Sequence, residues 1–186
     1  MKAFLTLTFV SFSFLCYGQK PVQNFTLPDI EGNPVTLESY SSAVAVIFSG
    51  NECPFDNYYA SRIKSLIETY SGKIQFLLIN AYVEPTELAD RMAAKYKSRG
   101  FSVPYLADKD QITMDIFGAR KSPEVFLLKK SGGKFLIVFQ GALDDNPQMA
   151  SEVKQNYLKD SIDKLLANQK IDVPLVRATG CSIRRK

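Results

Sequence analysis

The clearest pattern in the chain is a continuous apolar, β-branched run from Ala43 to Phe48, the signature of a strand covered on both faces. It ends in Ser49-Gly50-Asn51-Glu52-Cys53-Pro54. Beyond it, Tyr59, Ile63, Leu66, Ile67 and Tyr70 recur at helical spacing until Ser71-Gly72, which predicts a helix with Pro54 as its first residue. Upstream, Phe25 to Leu37 reads as two short alternating strands around an Asp/Gly/Asn/Pro turn. Downstream, Ile74 to Ala81 predicts a second buried strand, and Pro85 opens a second helix with Leu88, Met92 and Tyr96 on one face and Gly100 past its end. Val103 to Leu106 reads as a short strand, Gln111 to Phe117 as a short helix and Glu124 to Leu128 as another strand. Ser131-Gly132-Gly133 turns the chain into Phe135 to Gln140 as a hairpin. A last helix is expected over about Ala150 to Ala167, its apolar side supplied by Val153, Tyr157, Ile162, Leu165 and Leu166. From Gln169 an extended tail leads through Ile171 and Val176 to Gly180-Cys181. The order predicts an α/β fold, a central mixed β-sheet with helices on both faces.

The first residues break that pattern. Met1-Lys2, the apolar run Ala3 to Leu15, and Cys16-Tyr17-Gly18 have the form of a secretory signal cleaved after Gly18. Residues 1–18 are therefore expected to be removed, leaving residues 19–186 as a single domain with its tail at 169–186. The apolar run is too short for a comfortable span, so stable membrane insertion is not expected. Lipoprotein signals place a small residue just before the cysteine and an aliphatic one three before it; here Leu15 and Ser13 occupy those places, which argues against lipid anchoring through Cys16. An exported protein, periplasmic or secreted, is the expectation.

Composition narrows the chemistry. At 186 residues, 46% hydrophobic and 23% charged, the chain can bury a sizeable core, which excludes global disorder and coiled coil. Its 23 basic against 19 acidic residues give a scattered net charge of +4, too weak to point to nucleic acid. There is no histidine. That removes Ser-His-Asp and Cys-His catalysis and every histidine-containing metal site, and no metal or cofactor is implied. After cleavage Cys53 and Cys181 remain, an even pair in an oxidising compartment, so a disulfide, permanent or cycling, comes into view.

Cys53 stands where a strand hands over to a helix. There its sulfur faces unpaired backbone N–H groups and the positive end of the helix dipole, a setting that stabilises a thiolate. Asp56, one turn into the helix, has two readings: its charge raises the pKa of a nearby thiol, or it accepts a proton through water.

Gly50-Asn51-Glu52-Cys53-Pro54 with its helix, then Tyr105-Leu106-Ala107-Asp108, Phe117-Gly118 and Ser122-Pro123-Glu124-Val125-Phe126-Leu127-Leu128, resemble the thioredoxin fold. More narrowly they resemble its redoxin and peroxiredoxin-like branch (AhpC/TSA-like), whose members can also end in a segment like Gly180-Cys181-Ser182-Ile183. The resemblance covers about residues 22–186. It implies that Cys53 is the attacking cysteine and that Pro123 is the loop proline, usually cis, that lies against the active sulfur. It also shows departures. Asp56 stands where thioredoxin-type enzymes carry a second cysteine, and Gly50 and Val46 stand where peroxiredoxins carry Thr or Ser and Pro. No arginine matches the peroxiredoxin position, Arg120 being the nearest by sequence.

The implied function is an exported thiol-disulfide oxidoreductase or peroxiredoxin-like enzyme acting on protein thiols and disulfides or small hydroperoxides, with Cys53 as nucleophile and Cys181 resolving. Its electron donor is unidentified. Two alternatives stay open. A static Cys53–Cys181 staple would close a loop of roughly 130 residues, contributing on the order of 4–5 kcal/mol, in a non-catalytic binding or structural module; or the two thiols are unpaired.

Other features read as scaffold. Glu52, Glu84, Glu87 and Asp90 are expected in a solvated loop and helix start. Asp108-Lys109-Asp110 and Asp144-Asp145-Asn146 are expected to be turns and caps, not calcium loops. At least one of Phe48, Phe55, Tyr58 and Tyr59 is expected to line a pocket around the sulfur. Arg184-Arg185-Lys186 is expected to be a solvated terminus.

Overall fold

A computed structural model describes residues 21–186; the expected leader and Cys16 lie outside them. Strands β1 (Thr26–Pro28) and β2 (Pro34–Thr36) pair antiparallel as a small hairpin. The main sheet has five strands in the order β5-β4-β3-β7-β8, with β3 (Val44–Phe48), β4 (Gln75–Asn80) and β5 (Tyr105–Ala107) parallel. β7 (Glu124–Ser131) runs antiparallel to β3, and β8 (Lys134–Gly141) antiparallel to β7. The mixed sheet follows from the connections: α1 (Pro54–Thr69) and α2 (Ala89–Arg99) carry the chain between parallel strands, whereas Gly132-Gly133, both at positive φ, reverses it in two residues.

Every residue of β3 is buried, and its side chains serve two cores. Ala45 and Ile47 pack with Tyr59, Ile63 and Leu66 of α1, Met92 of α2, and Leu158 and Ile162 of α4 (Tyr157–Leu166). Val44, Val46 and Phe48 pack on the other face with Phe25, Leu27 and with Met114 and Phe117 of α3 (Ile112–Phe117). This period-two division explains why the strand reads as an unbroken apolar run.

Two expected helices are shorter than their patterns. The second splits at Leu88 into a 3-10 turn, Pro85–Glu87, and α2, and Leu88 is exposed rather than on the buried face with Met92. The last one breaks over residues 153–156 between a 3-10 turn, Ala150–Glu152, and α4, and Leu166 faces solvent. In both places the apolar spacing continues across residues with extended backbone, which end the helical hydrogen bonding at Leu88 and at Val153. The tail after α4 is extended, and none of residues 168–180 is buried. It ends in β9 (Cys181–Ser182), which pairs antiparallel with β6 (Lys121–Ser122) in a separate two-stranded ladder.

Candidate active site

Cys53 is the N-cap residue of α1, with Pro54 as the first helical residue, and it is 5% exposed. Its sulfur is bonded to Cys181 across 128 residues, with the two Cα atoms 5.8 Å apart. The open alternative of two unpaired thiols is thereby removed. The Ser122–Pro123 peptide is cis, as the resemblance implied, and Pro123 is buried. Cys53 Sγ lies 3.2 Å from the Ser122 carbonyl oxygen. A disulfide sulfur has no proton to donate, but the reduced thiol finds an acceptor there.

Ser122 joins the parts of the site. Its backbone pairs with Cys181 in the β6–β9 ladder, its carbonyl faces Cys53, and its hydroxyl donates to Asp56 Oδ2. The same oxygen accepts the Gly50 N–H at 3.1 Å. Asp56 is 1% exposed, and its Oδ1 has no partner among the described residues. Burial pushes its carboxyl up to about 6, against the opposing pull of the Ser122 hydrogen bond and the Arg99 charge.

The turn before Cys53 is held from behind by a carboxylate that sequence reasoning placed in a solvated loop. Glu87 is 3% exposed and accepts the backbone N–H of Asn51 at 2.7 Å and of Glu52 at 3.0 Å, and the Asn80 side-chain amide at 2.7 Å. Asn80 also donates to the Tyr105 hydroxyl, which lies 3.2 Å from the Ser49 carbonyl. Lys109 closes this network on Asn80 Oδ1 and the Tyr82 carbonyl, and burial lowers its ammonium to about 8.

The arginine of the site is Arg99 and not Arg120, which is exposed. From the last turn of α2, Arg99 donates to the Gly50 carbonyl at 3.0 Å, to Asn57 Oδ1 at 3.0 Å and to Ser49 Oγ at 3.3 Å. Its two terminal nitrogens are engaged by the turn and by Asn57, while its buried Nε has no partner among the described residues. None of the four aromatics expected around the sulfur lines the adjacent cleft, whose volume is about 260 Å³. Its aromatic wall is Tyr82, with Glu52, Glu84, Thr86, Glu87 and both cysteines completing it. Phe48 and Tyr59 point into the two cores instead, and Tyr58 is exposed. Gly50 lets Tyr82 close in: a Cβ there would stand 2.7 Å from the ring.

The tail reaches the site by close backbone approach. A Cβ on Gly180 would overlap the Ser122 carbonyl, so only glycine fits before Cys181 without a shift of the tail. Tyr82 Oη donates to the Cys181 carbonyl at 3.2 Å, and burial raises the Tyr82 pKa, which keeps that proton in place. Ile183 is 7% exposed, and its N–H donates to the Arg120 carbonyl. The basic terminus is exposed, as expected, with Arg185 paired with Asp115 and Lys186 with Asp110 at the surface. Asp144 likewise is no loop ligand but a buried partner of Arg62 at 2.5 Å and Tyr59 at 3.0 Å.

A cysteine at the N-cap position of a helix, its sulfur making no capping bond to the helix N–H groups but turned to a cis-proline loop, over a mixed sheet of this order, defines a thioredoxin-fold protein of the redoxin type. The chain belongs to the AhpC/TSA family, whose sequence profile matches residues 19–154. No curated protein matches it. Among solved structures it is similar to a hypothetical protein of Sinorhizobium meliloti 1021, at 28% identity and TM-score 0.81 over 90% of this chain and 94% of that one. An uncharacterized conserved protein of Geobacillus kaustophilus gives 25% identity and TM-score 0.82 over 90% and 92%. The peroxidoxin BcpB of Mycobacterium tuberculosis, at 19% identity and TM-score 0.55 over 80% and 93%, shares the fold.

Proposed function

We propose that this chain is an exported thiol-disulfide oxidoreductase, freed of residues 1–18, in which Cys53 is the nucleophile and Cys181 the resolving cysteine. The observation that carries the reading is the disulfide between a helix-capping cysteine and a tail cysteine, with both residues lining one open cleft.

In the reduced protein the Cys53 thiolate attacks one sulfur of a substrate disulfide. That S–S bond breaks, the departing half leaves as a thiolate that takes up a proton, and a mixed disulfide on Cys53 remains. Cys181 then loses its proton and attacks Cys53 Sγ, releasing the second half as a thiol and leaving the Cys53–Cys181 disulfide. The substrate gains two electrons and the protein dithiol loses two; a dithiol donor reverses the sequence. Asp56 is the proton acceptor of this reading, because it titrates at about 6 and its Oδ2 meets the hydroxyl of Ser122, the residue paired with Cys181. Pro123 shapes the loop against which the mixed disulfide forms. Protein disulfides are favoured over hydroperoxides as substrates, since the Gly50 N–H is taken by Asp56 and the terminal nitrogens of Arg99 by the turn and Asn57, so the paired donors that would hold a peroxide are already engaged.

A static staple is the second reading, favoured by the low exposure of Cys53 and by the tail contacts that survive without the bond. Trapping separates the two. Reduced Cys181→Ser protein, incubated with an oxidised model disulfide, is expected to accumulate a mixed disulfide on Cys53 visible as an intact-mass increase. No adduct under conditions that oxidise free cysteine would sink the exchange reading.

A further inference from the structure

Gln111 is one of the few non-glycine residues at positive φ among the described residues, at 59°, and it is 5% exposed. A left-handed backbone on a buried, branched-free polar residue costs free energy that something nearby must repay. Its side chain shows what that is. Nε2 donates to the Ala81 carbonyl at 2.9 Å and to the Arg184 carbonyl at 2.7 Å, and Oε1 accepts the Lys186 N–H at 2.8 Å. Every hydrogen-bonding capacity of the amide's two N–H groups is used, and two of the three bonds go to tail backbone beyond Cys181. Ala81 precedes Tyr82, whose hydroxyl holds the Cys181 carbonyl, so the segment after β4 holds the tail directly at the cysteine through Tyr82 and, beyond the cysteine, through Gln111.

We infer that Gln111 is a positioning residue: it keeps the tail docked when the Cys53–Cys181 bond is open, and so holds Cys181 in register to resolve a mixed disulfide. The inference deepens the exchange reading proposed above and rests on it. The physical need is specific. Upstream, half-buried Ile171, Val173 and Val176 pack against the core and the Val176 carbonyl accepts the Ala142 N–H, but residues 177–180 add no buried side chain before Cys181, Ile183 is the one buried side chain beyond it, and the ion pairs of Arg185 and Lys186 are too exposed to contribute much. Without the amide clamp the reduced tail samples undocked positions, and the effective concentration of Cys181 at Cys53 falls.

The test uses the full chain equilibrated with glutathione redox buffer, with quenched intact-mass analysis of the closed disulfide and the glutathione mixed disulfide. Gln111→Gly removes the clamp while accepting the left-handed backbone, so the oxidised protein is expected to keep its fold. Its ratio of mixed to closed disulfide is expected to rise roughly tenfold, equivalent to a reduction potential about 30 mV less negative. Deleting residues 184–186, which removes both tail partners of Gln111 without touching it, is expected to give a similar rise. Both readouts report tail position rather than general stability. If the wild-type disulfide exchanges and neither variant moves the ratio by more than twofold, the clamp is refuted and the exchange reading stands. If the wild-type disulfide does not exchange at all, both fall.

Discussion

Cys53 and Cys181 share a bond and almost nothing else of their surroundings. Cys53 follows a strand whose five residues are all buried and caps a helix whose inner face fills one core. Cys181 lies on a two-residue strand at the end of a segment with no buried side chain between residues 168 and 180. Hydrophobic burial fixes the first sulfur; a ladder of two residue pairs, one buried isoleucine, a tyrosine and a glutamine fix the second. Apolar burial is non-directional and survives the loss of any one contact, whereas a docked tail depends on a few directional bonds. The lesson is that one disulfide can join a half held by a packed core to a half held largely by directional bonds, and variants should affect the halves unequally.

The largest expected effect breaks the link between them. Cys181→Ser leaves the loop open and is expected to lose about 4–5 kcal/mol against the oxidised parent in denaturant unfolding, in the chain-entropy picture. A loss under 1 kcal/mol would mean that the tail adds little constraint.

Next comes the buried carboxylate on the rigid side. Because burial raises Asp56 to about 6, the folded state holds its proton more tightly than the unfolded state does. Ionisation therefore costs nothing below pH 4 and destabilises the fold progressively as pH rises from about 4 through 6. Asp56→Asn is expected to gain about 2–3 kcal/mol at pH 8 relative to pH 4, measured as the difference in urea unfolding from the parent. A pH-independent difference would show that the carboxyl is not strained by burial.

Smaller effects sharpen the comparison. Glu87→Gln cannot accept from Asn51, Glu52 and Asn80 together, and is expected to cost about 2 kcal/mol and to loosen the turn before Cys53, seen as faster amide exchange at Asn51 and Glu52. Gly180→Ala is expected to cost only about 1–2 kcal/mol, because the tail can shift away from the Ser122 carbonyl, but to make the disulfide easier to reduce. Unchanged reducibility would show that Cys181 does not depend on that close approach.

The positions of both cysteines were legible in the sequence, and the side chains that hold them were not. The run Ala43 to Phe48, the glycine turn and Pro54 placed Cys53 at a helix start from local signals alone, and the resemblance supplied the cis Pro123. Glu87, Arg99 and Gln111 came from far along the chain through the topology of parallel strands, and nothing local marks them. Glu87 carried a misleading signal: beside Glu84 and Pro85 it looks like a solvated helix start, yet α2 begins two residues later and turns it inward. Arg120 was chosen by nearness in sequence, where Arg99 is near in space. Tyr82 carries no local signal because the aromatics near Cys53 in sequence lie on β3 and α1, whereas the cleft wall comes from the segment that follows β4.

The most direct test of Cys53 as an exchanging cysteine is the reduction potential of the Cys53–Cys181 disulfide, read against defined glutathione ratios in protein lacking residues 1–18. A value less negative than about −300 mV, with Cys53 carrying the mixed disulfide at intermediate ratios, is the expected result. A value well below that, with the bond closed at every ratio and no adduct on Cys53, would contradict it.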